Sequence, residues 1–191
     1  MPPRLVVIFG LIASGKTTLA RNLGARLGCP TLHSDQVRKS LAGIPATQRV
    51  TVPFGTGLYA PEMSGRTYDE MFRLAAGHLR AGREVILDGS FMRAADRWRA
   101  RNVAAECGAE IFFILCSCSE AETRRRLNHR AANQQAVSNG RADILVEQQK
   151  RFEPVDDLQG VPMLKVLTDQ PPETVLAEVL AFLQTQGQRL E

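Results

Sequence analysis

Gly10, Gly15, Lys16 and Thr17 stand at the spacing Gly-x4-Gly-Lys-[Ser/Thr], and the chemistry of that spacing is the holding of a polyphosphate. Glycines let successive backbone N–H groups turn inward around phosphate oxygens, while the start of the following helix adds its positive dipole. The lysine reaches the β and γ phosphates, and the threonine hydroxyl offers an oxygen to Mg2+. We therefore assign the phosphates of ATP to Gly10, Ala13, Ser14, Gly15, Lys16, Thr17 and Thr18, with Thr17 on the metal. A flexible glycine turn ahead of a helix is the plainer alternative.

Three further groups have residue types suited to phosphoryl transfer. Asp35 is followed three residues later by Arg38, which puts both on one face of a short helix. A carboxylate there would orient an acceptor hydroxyl and take its proton, beside a cation that holds the acceptor or a phosphate. A helix N-cap with a surface arginine is the competing reading. Asp88 closes the apolar run Val85-Ile86-Leu87, where a carboxylate can hold Mg2+ directly or through water; an Asp-Gly turn would look the same. Arg93, with Arg97 four residues on, could touch acceptor or phosphate, or be a solvated helix face. Residues 124–130 contain four arginines and a histidine, and Arg126 and Arg130 share a face from which they could clasp the phosphate chain as the site closes. Arg126 could also offset charge on the group in transfer. The same cluster could be a plain basic helix or a nucleic-acid patch, although no aromatic residue interleaves it. His33, His78 and His129 show no metal-ligand spacing, and we assign them no catalytic role.

The elements that must position these residues alternate. Arg4–Phe9 is a short apolar strand of the kind buried on both faces of a parallel sheet, and Lys16–Leu27 is a helix stopped by Gly28. A weak strand spans Thr31–Ser34 and a short helix Asp35–Leu41. Residues 43–59, with glycines and prolines among polar residues, read as a long functional loop. Then come a helix from Pro61 to about Ala81, a strand Glu84–Leu87, a helix from about Ala94 to Cys107 and a strand Glu110–Cys116. Helices over 119–130 and Asp143–Phe152 flank a polar stretch, Ala131–Gly140; a strand Met163–Leu167 and a helix Glu173–Gln184 close the chain. Five strands with helices between them define an α/β doubly wound sheet, whose ligands sit at the carboxyl ends of the strands.

Composition bounds the rest. At 191 residues with 44% hydrophobic and 23% charged, the chain is expected to form one domain over 1–191, and wholesale disorder is excluded. No apolar run approaches the 18 or so residues of a membrane span. Met1–Arg4 and the apolar run behind it superficially suggest a secretory signal, but no small-residue cleavage site follows in the right place, and a cytoplasmic protein is expected. Four irregularly spaced cysteines are expected to be buried thiols rather than a disulfide framework or a zinc site. The 24 basic and 20 acidic residues leave a formal charge of +4, which suits a phosphate-handling enzyme and a weak nucleic-acid binder alike. There is no Asn-Lys-x-Asp run to read guanine, and no room for the second domain of a motor.

The loop at 10–17, Ser34-Asp35 with Arg38, the run Val85–Phe91 with Arg93 and Arg97, and the arginine cluster together resemble the small kinases of the nucleoside-monophosphate-kinase-like P-loop class. That class is similar to the ATP-binding domain fused to aminoglycoside phosphotransferases and, more distantly, to chloramphenicol phosphotransferase, zeta toxins and polynucleotide 5′-hydroxyl kinase. The resemblance implies a P-loop NTPase fold with a parallel sheet in the order 2-3-1-4-5, ATP with Mg2+, Asp35 as base, and an arginine-rich lid at about 119–142. No Asp-x-Asp-x-Thr phosphatase motif is present, so the two-headed repair enzyme is not matched as a whole. The expected activity is transfer of the γ-phosphoryl group to a hydroxyl of a small molecule, with Lys16, Asp35 and Arg126 catalytic, Arg38 and Arg93 on the acceptor, and Thr17 and Asp88 on the metal. A polynucleotide 5′-hydroxyl kinase and a non-catalytic ATP-binding switch or toxin-like module are the alternatives.

Overall fold

A computed structural model describes residues 2–45, 48, 55–132 and 139–187, with the side chains of 130–132, 139–143 and 187 left outside the description. Five strands, β1 (Arg4–Phe9), β2 (Thr31–His33), β3 (Val85–Asp88), β4 (Glu110–Ser117) and β5 (Met163–Leu167), form one sheet in the order β2-β3-β1-β4-β5. Every neighbouring pair is parallel. The helices are α1 (Lys16–Leu27), α2 (Ser34–Leu41), α3 (Pro61–Arg80), α4 (Ala94–Glu106), α5 (Glu120–Ala132), α6 (Asn139–Arg151) and α7 (Pro172–Gly187).

The two-residue period of a strand sends alternate side chains of β1 to opposite faces. Leu5, Val7 and Phe9 pack with Met71, Phe72 and Ala75 of α3 and Ala100 and Ala104 of α4. Val6 and Ile8 pack with Leu19, Ala20 and Leu23 of α1 and Val175, Val179 and Leu183 of α7. With both faces covered, β1 can be apolar throughout, and its carboxyl end is forced to turn out of the sheet directly into the glycine loop. The sequence elements agree with the structure to within a few residues. Differences fall at ends: β2 stops at His33 rather than Ser34, α5 runs on to Ala132, and α6 begins at Asn139 inside the stretch expected to be only polar. Within the expected 43–59 loop, Gly57–Tyr59 makes a short 3-10 turn; residues 46, 47 and 49–54 of that loop, and 133–138 of the expected lid, lie outside the described residues.

Arg97, open by its spacing to an acceptor contact or a solvated helix face, belongs to the scaffold instead. Arg97 is fully buried. It donates to Asp157 at 2.6 Å and to the carbonyls of Phe91 and Pro154 at 2.9 and 2.6 Å. It is neither a solvated face nor an acceptor contact: a planar fork of donors fixes the loop after β3 to the segment before β5. The cysteines are free thiols, and burial pushes Cys116 up to about 12, which leaves it an apolar core side chain. Among the described residues no helix is long and apolar enough to cross a membrane.

Candidate active site at the carboxyl edge of the sheet

The loop between β1 and α1 is wound for anions. Gly10 has φ +139° and a Cβ there would overlap the carbonyl oxygen of Cys116; Gly15 has φ +80° and a Cβ would lie 2.9 Å from Thr168 Oγ1 and 3.1 Å from Arg126 Nη1. Both positions thus demand glycine for space as well as for conformation. Ala13 is also left-handed, φ +64°, an uncommon state for a residue with a Cβ, and one that belongs to loops whose N–H groups converge on an anion. A hollow of about 100 Å3 is lined by Ile12, Ala13 and Gly15 to Thr18. Lys16 Nζ folds back over the loop, 2.5 Å from the Leu11 carbonyl and 3.3 Å from Ser14 Oγ. These residues fit a polyphosphate: a cradle that a Cβ would fill, a cation above it and a helix N-terminus behind it.

Thr17 donates its hydroxyl proton to Asp88 Oδ2 at 2.8 Å. That direction leaves the Thr17 oxygen lone pairs for a cation, and Asp88, at the end of β3 and 4% exposed, contributes a second hard oxygen donor. Among the described residues no group of three or more His, Cys, Asp or Glu side chains could hold a metal. Two oxygens without a closed cage fit Mg2+, which keeps waters and shares phosphate oxygens. Asp88 thus closes β3 with a side-chain partner rather than standing in a turn. His33, to which the spacing of histidines assigns nothing, also meets it: Nδ1 lies 2.7 Å from the same Oδ2. The signal that could have found His33 is its position at the carboxyl end of β2, level with Asp88 in the register.

Asp35 sits in the first turn of α2 but does not cap it. The N-cap position belongs to His33, and no side chain caps the helix. Half exposed, Asp35 pairs with Lys39 at 2.9 Å and accepts a hydrogen bond from the Tyr59 hydroxyl at 3.2 Å. Arg38 is buried to 9% exposure, its guanidinium 4.9 Å above the Tyr59 ring, and its Nε has no hydrogen-bond partner. The surface arginine of the capping reading is thus absent. Arg93 is half exposed and makes two hydrogen bonds of 3.0 Å to buried Asp96, which raise its pKa.

Arg126 of α5 crosses to the phosphate loop. It donates to the Ala13 carbonyl and to Thr168 Oγ1, both at 3.0 Å, and to the Thr168 carbonyl at 2.5 Å. Glu122 holds it from below at 2.7 Å; hydrogen bonds from Arg125 and Arg126 pull Glu122 down to about 2, so the carboxylate is charged at any physiological pH. Arg124 and Arg125 are exposed and paired within the helix to Glu120 and Glu122. The side chain of Arg130 lies outside the described residues. Between α5 and the segment after β5 lies a cavity of about 630 Å3, lined by Thr18, Arg126, His129, Thr168, Gln170 and Pro171 among others, a volume suited to a small molecule. Sequence spacing missed Thr168 and its neighbours, although they follow a strand end where ligands gather. We expect Arg126→Ala to lower kcat by roughly 10²–10³, the range for one positioned donor, while the Kd for ATP changes less than about fivefold. Equal losses in both, measured by steady-state kinetics and calorimetry, would make Arg126 a plain binding residue.

A five-stranded parallel sheet with this glycine loop between its central strand and first helix has the fold of the small P-loop kinases. A protein-family model described as an AAA domain matches residues 5–155, and the chain belongs to that family. An uncharacterized protein of Mycobacterium tuberculosis H37Rv is 31% identical over 116 residues, 61% of this chain, and one of Mycobacterium bovis matches equally. The matched stretch is 23% of each relative's length, so the chain spans under a quarter of these relatives. Solved structures of like fold include a sugar kinase from a Janibacter species (TM-score 0.69, 19% identity, covering 96% of this chain and 95% of that one). An APS kinase of Mycobacterium tuberculosis, in complex with AMPPNP and APS, gives 0.68 and 18%, with 96% and 98% covered. A gluconokinase of Sinorhizobium meliloti gives 0.67 and 21%, with 99% and 96% covered.

Proposed function

We propose that the protein is an ATP-dependent phosphotransferase that passes the γ-phosphoryl group to a hydroxyl of a small molecule. The observation that carries this is the neighbourhood of two constellations at one sheet edge. Lys16, Thr17 and Asp88 surround the phosphate loop, and α2, which bears Asp35 and Arg38, starts where β2 stands level with Asp88. A nucleotide-binding switch needs the first and has no use for the second. Thr17 and Asp88 would hold Mg2+, which when bound would supply positive charge against the negative charge that develops in transfer. Lys16 would draw the β and γ phosphates together. Asp35 would orient the acceptor hydroxyl and take its proton as the new oxygen–phosphorus bond forms and the bond to the β-phosphate oxygen breaks. Arg126, anchored on Ala13, would bring a positive charge to the phosphates. Arg93 would meet the acceptor by exchanging Asp96 for it, and 119–142 would act as the lid of one domain over 1–191.

Arg38 narrows the acceptor. A buried guanidinium resting on an aromatic ring, with an unpartnered Nε, is stabilised by an anion, which favours an acceptor bearing phosphate, sulfate or carboxylate besides its hydroxyl. The kinases of like fold, named for a sugar, APS and gluconate chemistry, support the reaction class. A polynucleotide acceptor has less support, because exposed Arg124 and Arg125 are already engaged in ion pairs within the helix, with Glu120 and Glu122. ATP as the phosphoryl donor supports a cytoplasmic location.

The test has two parts. ATP with Mg2+ at a hundredfold excess over Kd is expected to stabilise the fold by about 2.7 kcal/mol, a rise in melting temperature of roughly 5–10 °C, and AMP to do much less. Label from γ-phosphate-labelled ATP should then move to anionic hydroxyl compounds in a panel and not to their neutral counterparts. Equal shifts with AMP would overturn the nucleotide site; transfer to a neutral acceptor alone would overturn the role of Arg38.

A further inference from the structure

We propose that His33 is a positioning residue that fixes the metal-holding carboxylate, an assignment that rests on the ATP·Mg2+ reading above. A carboxylate only accepts hydrogen bonds, so at 2.7 Å the proton lies on His33 Nδ1. Asp88 Oδ2 therefore takes two donors, the imidazole N–H and the Thr17 hydroxyl, and every described contact of the Asp88 side chain falls on that oxygen. Pinned through Oδ2, the carboxylate presents Oδ1 in one orientation. The two donors are not equivalent: Thr17 would itself be a cation ligand through its lone pairs, so its position follows the metal that Asp88 must serve. His33 has no such second duty. It is buried to 9% exposure and sits on the neighbouring strand in register with Asp88, so it can hold the carboxylate whatever occupies the phosphate loop.

His33 also occupies the N-cap position of α2, two residues before Asp35. One residue thus joins the start of the acceptor helix to the carboxylate on the metal side, across the β2–β3 pair. Outer hydrogen-bond partners of this kind orient the groups that hold a metal, and their removal weakens metal binding by about 10–100-fold.

The experiment compares two variants of similar size, His33→Asn, whose side-chain amide nitrogen takes the place of Nδ1, and His33→Leu, which fills the same space without a donor. Free Mn2+ is measured by electron paramagnetic resonance in the presence of ATP. We expect His33→Leu to weaken Mn2+ binding to the ATP-bound protein by about tenfold or more, with metal-free ATP binding retained, and His33→Asn to stay within about threefold of the parent. A folded His33→Leu protein that holds Mn2+ as the parent does, or failure of His33→Asn to restore binding, overturns the proposal. Should His33→Leu not fold, the ring nitrogen of His33 is followed in the parent by 15N NMR: its resonance should move when Mg2+ is added to the ATP-bound protein, and an unmoved resonance overturns the assignment. A parent that binds no Mn2+·ATP refutes the nucleotide reading itself, a different result from a parent that binds and a leucine variant that binds equally.

Discussion

Lys16→Ala is expected to bring phosphoryl transfer below detection in a protein that remains folded. Loss of a single positioned donor at a developing negative charge lowers kcat by about 10²–10³, and here the group removed carries a full charge against two phosphates. The fold should tolerate the change because the ammonium makes its described contacts with the loop itself, the Leu11 carbonyl and Ser14 Oγ, rather than with either apolar cluster. A melting temperature within a few degrees of the parent, together with a lost response to ATP·Mg2+, is the expected pair of results. Full transfer in a folded variant would remove the loop from the mechanism.

Asp35→Asn is expected to lose roughly a hundredfold or more in transfer, the low end of what a positioned acid or base contributes, with ATP·Mg2+ affinity near that of the parent. The structure sharpens this test. An asparagine replacing a capping aspartate would be silent, since the two cap almost equally well; but Asp35 does not cap α2. What the substitution removes besides the base is the ion pair to Lys39 at 2.9 Å. Asp35 is half exposed but Lys39 is largely buried, so loss of the pair costs on the order of 1 kcal/mol, a few degrees in melting temperature. Asparagine keeps an oxygen to accept from the Tyr59 hydroxyl, held at 3.2 Å in the parent. A near-parental melting temperature with a collapsed transfer rate is therefore the signature of a base. An unchanged rate, measured on the same preparation, would remove Asp35 from the reaction and favour the switch.

The loop from Gly10 to Thr17, the strand ahead of it and the helix behind it were legible from residue order alone. Each depends on neighbours in sequence: glycine where the backbone must turn, apolar runs where both strand faces are covered, and a lysine at the first position of a helix. The same locality made Asp35, Arg38 and Asp88 visible, since Asp88 stands at a strand end, Asp35 in a first helical turn, and Arg38 about one turn beyond Asp35. Their partners were not. His33 on Asp88, Tyr59 beneath Arg38, and Thr168 under Arg126 are separated from their contacts by between 21 and 55 positions. No period or spacing encodes such pairs, because which residue meets which is set by the order and register of strands in the sheet. Arg93 and Arg97 show the limit most plainly. Four apart, at the N-cap and in the first turns of α4, they share a residue type and a local pattern, yet Arg97 is sealed against Asp157 while Arg93 stays half exposed on Asp96. Sequence determined that arginines would follow β3; only the packing of the segment 153–157 over one turn of α4 decided which of them became scaffold, because burial is a property of what lies opposite and not of the residue itself.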